Sequence, residues 1–191
     1  MGTADKLFSV IMAMKDQMES MNIHHSDASF ILFEIGFAYT AAIAVENGII
    51  IDGIGGTSGN MGYLGMGSMD GELSYAISNS IDNFSKTLLF SGGAAFLAGI
   101  DPFNSNIEDF INKSKINKKI MSAYEAFKEA IIKNVFTLLS SMKESPKEIL
   151  LSGRFIDIVD FKNDIILKLN KKTQPFKILN IRSVNKQSST G

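Results

Sequence analysis

The sequence predicts a mixed α/β lobe, and three observations carry that prediction. Phe30 to Phe33 is a short apolar run, and residues 39–52 form a second one, broken only by Glu46-Asn47-Gly48. Such runs read as buried strands, and an Asn-Gly pair between them signals a hairpin because both residues tolerate positive φ. Ile149 to Leu151 is a further apolar run that enters Ser152-Gly153-Arg154 and then a helical pattern from about Ile156 to Lys168. Helix-period stripes flank both units, at residues 4–21 and 117–143. The order helix, hairpin unit, glycine loop, helical insert, strand, helix, strand is that of a sheet flanked by helices.

Composition narrows the function classes. The 191 residues suit one domain or one lobe of a larger protein, with enough apolar residues for a real core. Nineteen basic and twenty acidic side chains leave a formal charge of −1, so there is no electrostatic footprint for nucleic acid or an anionic membrane. The lack of cysteine excludes disulfides, thiolate metal sites and a Cys nucleophile, and fits a reducing cytoplasm. No apolar run approaches the roughly 18 residues of a membrane span.

In residues 4–21, Leu7, Val10, Ile11, Met14 and Met18 fall on one helical face, with Thr3 placed to cap the helix and Asp5 suited to its dipole. His24 and His25 sit in a polar turn without a third ligand at a metal-site spacing. Alternation along the first strand puts Glu34 on the face of Phe30 and Leu32, at the C-terminal end where open sheets place ligands. A carboxylate there is paired, used in chemistry, or simply in water at a sheet edge. Ser91-Gly92-Gly93 reads as a tight turn opening a helix, and Asn106 to Lys113 as a short helix. The long helix 117–143 carries an Ile120, Tyr124, Phe127, Ile131, Val135, Leu138 core stripe and stops at Ser145-Pro146. Phe176 to Ile181 reads as a last strand, and the tail from Lys186 as the start of a further helix.

From Asp52 to Gly71 the chain holds Gly53, Gly55, Gly56, Gly59, Gly62, Gly65, Gly67 and Gly71. Glycines this dense cost conformational entropy, and their usual use is to bring backbone N–H groups close to an anion. Asp70 and Glu72 follow, as Mg²⁺ ligands or proton acceptors on one reading and as the cap and first turn of a helix on the other. The strand, glycine turn and helix around Ser152-Gly153-Arg154 form a second place where a ligand meets a strand end.

These stretches resemble the acetate and sugar kinase, actin and heat-shock ATPase superfamily. Phe30 to Thr57 is similar to its second phosphate-binding hairpin, and Ile149 to Arg154 to its adenosine motif. Met1-Gly-Thr-Ala-Asp-Lys-Leu, Asp52-Gly-Ile-Gly-Gly-Thr, Met69-Asp-Gly-Glu-Leu and Leu150-Leu-Ser-Gly-Arg, in that order, resemble an archaeal family of predicted butyrate kinases. The resemblance implies a ribonuclease-H-like (actin-like ATPase) lobe, with ATP and Mg²⁺ as cofactors. It places Gly36, Thr40, Gly53, Gly55, Gly56 and Thr57 near phosphates and Ser152, Gly153 and Arg154 near adenosine. It also puts Glu34, Asp70 and Glu72 in catalytic positions, with Asp70 on the metal.

The pattern departs from the family at named places. Glu34-Ile-Gly-Phe-Ala-Tyr stands where the acyl kinases have a histidine before a glycine-richer turn, and Arg154 replaces the second glycine of the adenosine motif. The Asp-x-Gly-Thr phosphate loop of an N-terminal lobe is not in the sequence. The expectation is a single lobe over residues 1–191 with insert helices at about 80–143, corresponding to the C-terminal half of a longer protein. It would be the ATP-binding lobe of a small-molecule kinase, with butyrate or another carboxylate as acceptor, and inactive by itself. A homodimer, or a separate chain supplying the other lobe, would complete it. The alternatives are a nucleotide-binding regulator or chaperone-like ATPase with no small-molecule acceptor, and a structural fragment whose glycines only make turns.

Overall fold

The computed structural model describes residues 4–80 and 85–184. The expected Thr3 cap and the tail from Lys186 lie outside the described residues. Helix α1 (Ala4–Met21) leads into strands β1 (Phe30–Ile35), β2 (Thr40–Glu46) and β3 (Ile49–Gly55). Helices α2 (Gly71–Ser80), α3 (Ala94–Ala98), α4 (Ile107–Ser114) and α5 (Lys118–Ser141) follow. Strand β4 (Glu148–Ser152), helix α6 (Val159–Thr173) and strand β5 (Asn180–Ser183) complete the order. The five strands form one sheet ordered β3-β2-β1-β4-β5, with β1, β4 and β5 parallel. This is the mixed α/β architecture that the sequence predicts.

Local chemistry explains most boundaries. Asn47 and Gly48 have φ of 51° and 75°, the two left-handed positions of a two-residue hairpin turn. A Cβ on Gly48 would stand 3.2 Å from the His25 carbonyl carbon, so the turn is pressed against residues 25–26. Helix α5 ends two residues before the expected Lys143, because the Glu46 carboxylate accepts the Lys143 and Glu144 N–H groups at 2.9 and 3.0 Å. β5 begins at Asn180 rather than Phe176. The Phe176 N–H turns back to the Thr173 carbonyl at 2.8 Å, and its ring packs edge-on against Phe136 at 5.8 Å.

The chain divides into two compact units. The first comprises residues 1–35, 41–54 and 134–191, and the second residues 36–40 and 55–133. In the first unit, Val10 and Ala13 of α1 pack on Phe30 and Leu32 of β1, Ile43 and Val45 of β2, and Leu150 of β4. Leu7 and Ile11, expected on the buried face of α1, are instead exposed, and the buried positions include Asp16 and Gln17. The reason is polar. Gln17 bonds the Ser29 backbone through Oε1 (3.0 Å) and Nε2 (3.3 Å), and Asp16 accepts Arg182 Nη1 at 2.5 Å. Those bonds rotate α1 away from its most apolar stripe. The alternate residues of β1 and β4 (Ile31, Phe33, Ile35, Ile149, Leu151) are buried too, so both strands are covered on both faces.

The second unit has an aromatic core. Tyr63 stacks against Phe37 at 5.4 Å and Phe110 at 5.2 Å, and Phe110 meets Tyr124 at 5.7 Å. Around it, glycines allow backbone to touch backbone. A Cβ on Gly62 would lie 2.6 Å from the Ala38 carbonyl oxygen, one on Gly65 2.5 Å from the Tyr39 ring, and one on Gly67 2.6 Å from the Gly59 carbonyl oxygen. Much of the glycine loop is therefore close packing, where the sequence pointed to anion contact. Gly56 and Gly71 differ, because a Cβ on either would meet nothing within 4 Å.

Candidate functional site

In the first unit the site is built at the C-terminal ends of β1 and β4. Glu34 and Ser152 are register partners in the parallel ladder, two residues beyond the Leu32–Leu150 pair that packs under α1. Register partners share a sheet face, as do residues two apart, so Glu34 and Ser152 lie on the α1 side. Glu34 is not left in water. Lys6 Nζ of α1 donates to Oε1 at 2.5 Å, and Ser9 Oγ lies 3.1 Å from Oε2, with both side chains of the ion pair about a quarter exposed. Burial would lower the Lys6 pKa, but the Glu34 carboxylate and then Asp5, at 3.2 Å, more than offset it and hold the ammonium above its ordinary range.

Ser152 differs from its neighbours. Its Oγ is fully covered and has no hydrogen-bond partner. A covered hydroxyl left unsatisfied costs about 1–3 kcal/mol, so an acceptor or donor arriving from a ligand would remove that penalty. Gly153 follows with φ of 95°, and a Cβ there would stand 2.6 and 2.8 Å from the Ile35 carbonyl carbon and nitrogen. Only glycine lets the end of β4 lie on the end of β1 in this way. Arg154 is exposed and opens the short 3₁₀ turn to Asp157. Gly53 sits within β3 in ordinary contact with Ala42 and Ile43, beside Asp52, whose Oδ2 accepts Ser141 Oγ at 2.5 Å.

The second unit holds the remaining candidates. The Gly36 N–H closes a turn on the Tyr39 carbonyl at 3.1 Å, and the Gly56 N–H donates to the Thr40 carbonyl at 3.0 Å. Gly36 to Thr40 and Gly55 to Thr57 therefore form one backbone assembly. Asp70 caps α2, its Oδ1 accepting the Glu72 and Leu73 N–H groups at 3.0 and 3.1 Å. Among the described residues Asp70 Oδ2 and the exposed Glu72 carboxylate have no protein partner, and neither residue bonds to the 36–40 or 55–57 segments. Lys6 and Ser9 are site residues that the sequence did not reveal. Their spacing of three on α1 was visible, but nothing local ties them to Glu34.

The residues suit a nucleotide at the strand ends, where an unsatisfied hydroxyl stands beside a backbone approach that only glycine permits. For a metal, no three His, Asp or Glu side chains among the described residues come together to hold an ion. Mg²⁺ needs only one or two protein carboxylates, and within the second unit Asp70 Oδ2 is one candidate. No helix among the described residues is long and apolar enough to cross a membrane.

A family model described as "Protein of unknown function (DUF1464)" matches residues 1–191. The chain belongs to that family. No curated protein matches it. Among solved structures, this DUF1464 member is similar to a propionate kinase from Francisella tularensis subsp. tularensis SCHU S4, with a TM-score of 0.74 and 16% identity over 95% of this chain and 52% of that one. It is also similar to acetate kinase from Porphyromonas gingivalis (TM-score 0.71, 13% identity, 92% of this chain, 50% of that one). For acetate kinase from Entamoeba histolytica the values are 0.68, 11%, 92% and 53%. At these identities the likeness shows the fold alone, a fold shared with those acetate and propionate kinases. The chain spans about half the length of the structures it matches.

Proposed function

We propose that the chain is the nucleotide-binding lobe of an ATP-dependent phosphotransferase acting on a small molecule. The observation that carries this reading is the β4 turn. There the covered, unpartnered Ser152 Oγ stands beside Gly153, at the strand ends where open α/β sheets bind ligands. The fold shared with acetate and propionate kinases supports the reading, and those two names make a small carboxylate such as butyrate the first acceptor to try.

In this reading Ser152, Gly153 and Arg154 of the first unit hold the adenosine end, and Gly53 of that unit is a phosphate candidate. Gly36, Thr40 and the Gly55–Thr57 turn of the second unit are phosphate candidates in their own right. Asp70 takes Mg²⁺, with Glu72 beside it. Bound ATP would supply the phosphoryl group, and Mg²⁺ would neutralise charge on it. The Glu34 side chain is already engaged by Lys6 and Ser9, which suits it to orienting a donor. Phosphoryl transfer depends on positioning and charge stabilisation from all sides of the phosphates. We therefore expect efficient turnover to require the counterpart of the kinase half that this chain does not cover. The cysteine-free composition suits the cytoplasm.

The test is the melting temperature of the chain with and without millimolar Mg·ATP. Binding at 100 times Kd adds about 2.7 kcal/mol of stability, a shift of several degrees for a domain of this size. Arg154→Ala should shrink the shift. No shift with the native chain overturns the reading.

A further inference from the structure

The reading above uses Glu34 and the 152–154 turn but gives Lys6 no role of its own. Its ammonium is held at the end of β1 by Glu34 Oε1 at 2.5 Å and Asp5 Oδ2 at 3.2 Å. An ammonium has three N–H donors, and among the described residues those two carboxylates are its partners, so one donor is left for a ligand. The pair is a quarter exposed, so a ligand can reach it without unfolding the lobe. On the same sheet face, in register with Glu34, lies the covered Ser152 hydroxyl that also lacks a partner. A cation with a spare donor and a hydroxyl with none of its bonds made thus share one strand-end face.

We infer that Lys6 is a phosphate-binding residue of this lobe, stored against Glu34 in the empty state and donating to a phosphate oxygen of a bound nucleotide. This rests on the reading that the lobe holds a nucleotide. The ligand class follows from the group: a compact point charge on a flexible stem pairs well with phosphate oxygens. Only ion pairing is exchanged, and no bond forms or breaks. Glu34 is then the competitor, because it occupies the same ammonium and repels an incoming phosphate. That gives the two partners opposite signs. Loss of Lys6 weakens nucleotide binding, and loss of the Glu34 charge tightens it. A purely structural ion pair predicts that both losses harm the fold and every ligand alike.

The experiment is calorimetric titration of the full chain with ATP and with adenosine, Mg²⁺ present throughout. Lys6→Met should weaken ATP by about tenfold or more, the scale of one charge-assisted bond, and leave adenosine within about twofold. Lys6→Arg should keep most of the ATP affinity, and Glu34→Gln should raise it. Lys6→Met leaves Glu34 without its cation and could fail to fold. The double variant Lys6→Met/Glu34→Gln removes both charges and should show the same selective loss of ATP. An ATP-to-adenosine affinity ratio unchanged in Lys6→Met and in the double variant overturns the inference while the nucleotide reading stands. A native chain that binds neither probe overturns the nucleotide reading, and this inference with it.

Discussion

Arg182 and Glu148 meet as a two-point pair across neighbouring strands, with Nε donating to Oε1 at 2.7 Å and Nη2 to Oε2 at 3.1 Å. The same guanidinium reaches Asp16, and the Asp16 and Glu148 side chains are 1% and 2% exposed. Arg182→Leu removes the cation that two buried carboxylates share and should cost about 3–5 kcal/mol. Arg182→Lys should recover only part of this, because a point charge cannot reproduce the fork. Urea unfolding midpoints of the three proteins check both statements.

Gly153 is the second structural test. Gly153→Ala forces a side chain into a φ of 95° and against the Ile35 backbone. The conformational part alone costs about 1–3 kcal/mol, and the collision with backbone adds to it. We expect a lower melting temperature and a weaker β1–β4 junction, the latter visible as faster amide exchange at Ile35 and Ser152.

The glycines of the long loop should separate into two groups. Gly62→Ala meets the Ala38 carbonyl oxygen at 2.6 Å and should destabilise the second unit. Gly71→Ala meets nothing within 4 Å at the first position of α2, and should stabilise by about 0.5–1 kcal/mol through helix propensity. A destabilised Gly71→Ala protein would contradict this division. Thermal melts of the two variants suffice.

Tyr63 makes the alkaline side of stability predictable. Burial, aided by the Asp109 charge and opposed by the Ser105 hydroxyl, raises its phenol above the ordinary value of 10.0. A raised folded value means the unfolded chain loses its proton first. The Tyr63 contribution is therefore complete below about pH 10 and disappears as pH climbs through the folded value. Denaturant midpoints measured from pH 8 to 11 should fall less steeply in Tyr63→Phe than in the native chain.

What could be read in advance follows from the range of each interaction. The hairpin was legible because Asn47 and Gly48 carry their own backbone preference. The β4 turn was legible because an apolar run stops at Ser-Gly. The buried face of α1 was not, since Asp16 and Gln17 are drawn inward by partners 166 and 131 residues away, while Leu7 and Ile11 are left outside. Lys6 was missed for the same reason, its carboxylate lying 28 residues along the chain. In the glycine loop the sequence alone could not separate contact with an anion from contact with another stretch of backbone, because both ask for the same missing side chain.

The interleaving of the two units has a consequence during synthesis. Every segment of the second unit has been synthesised by Lys133, whereas the first still lacks β4, the strand that lies between β1 and β5. β1 ends at Ile35 and β4 begins at Glu148, so at about 5–20 residues per second the newborn β1 waits roughly 5–20 s for its parallel neighbour. During that interval Phe30, Leu32 and Phe33 have no sheet partner on that side. The order of manufacture thus leaves this edge of β1 without its parallel neighbour while the whole of the second unit is made.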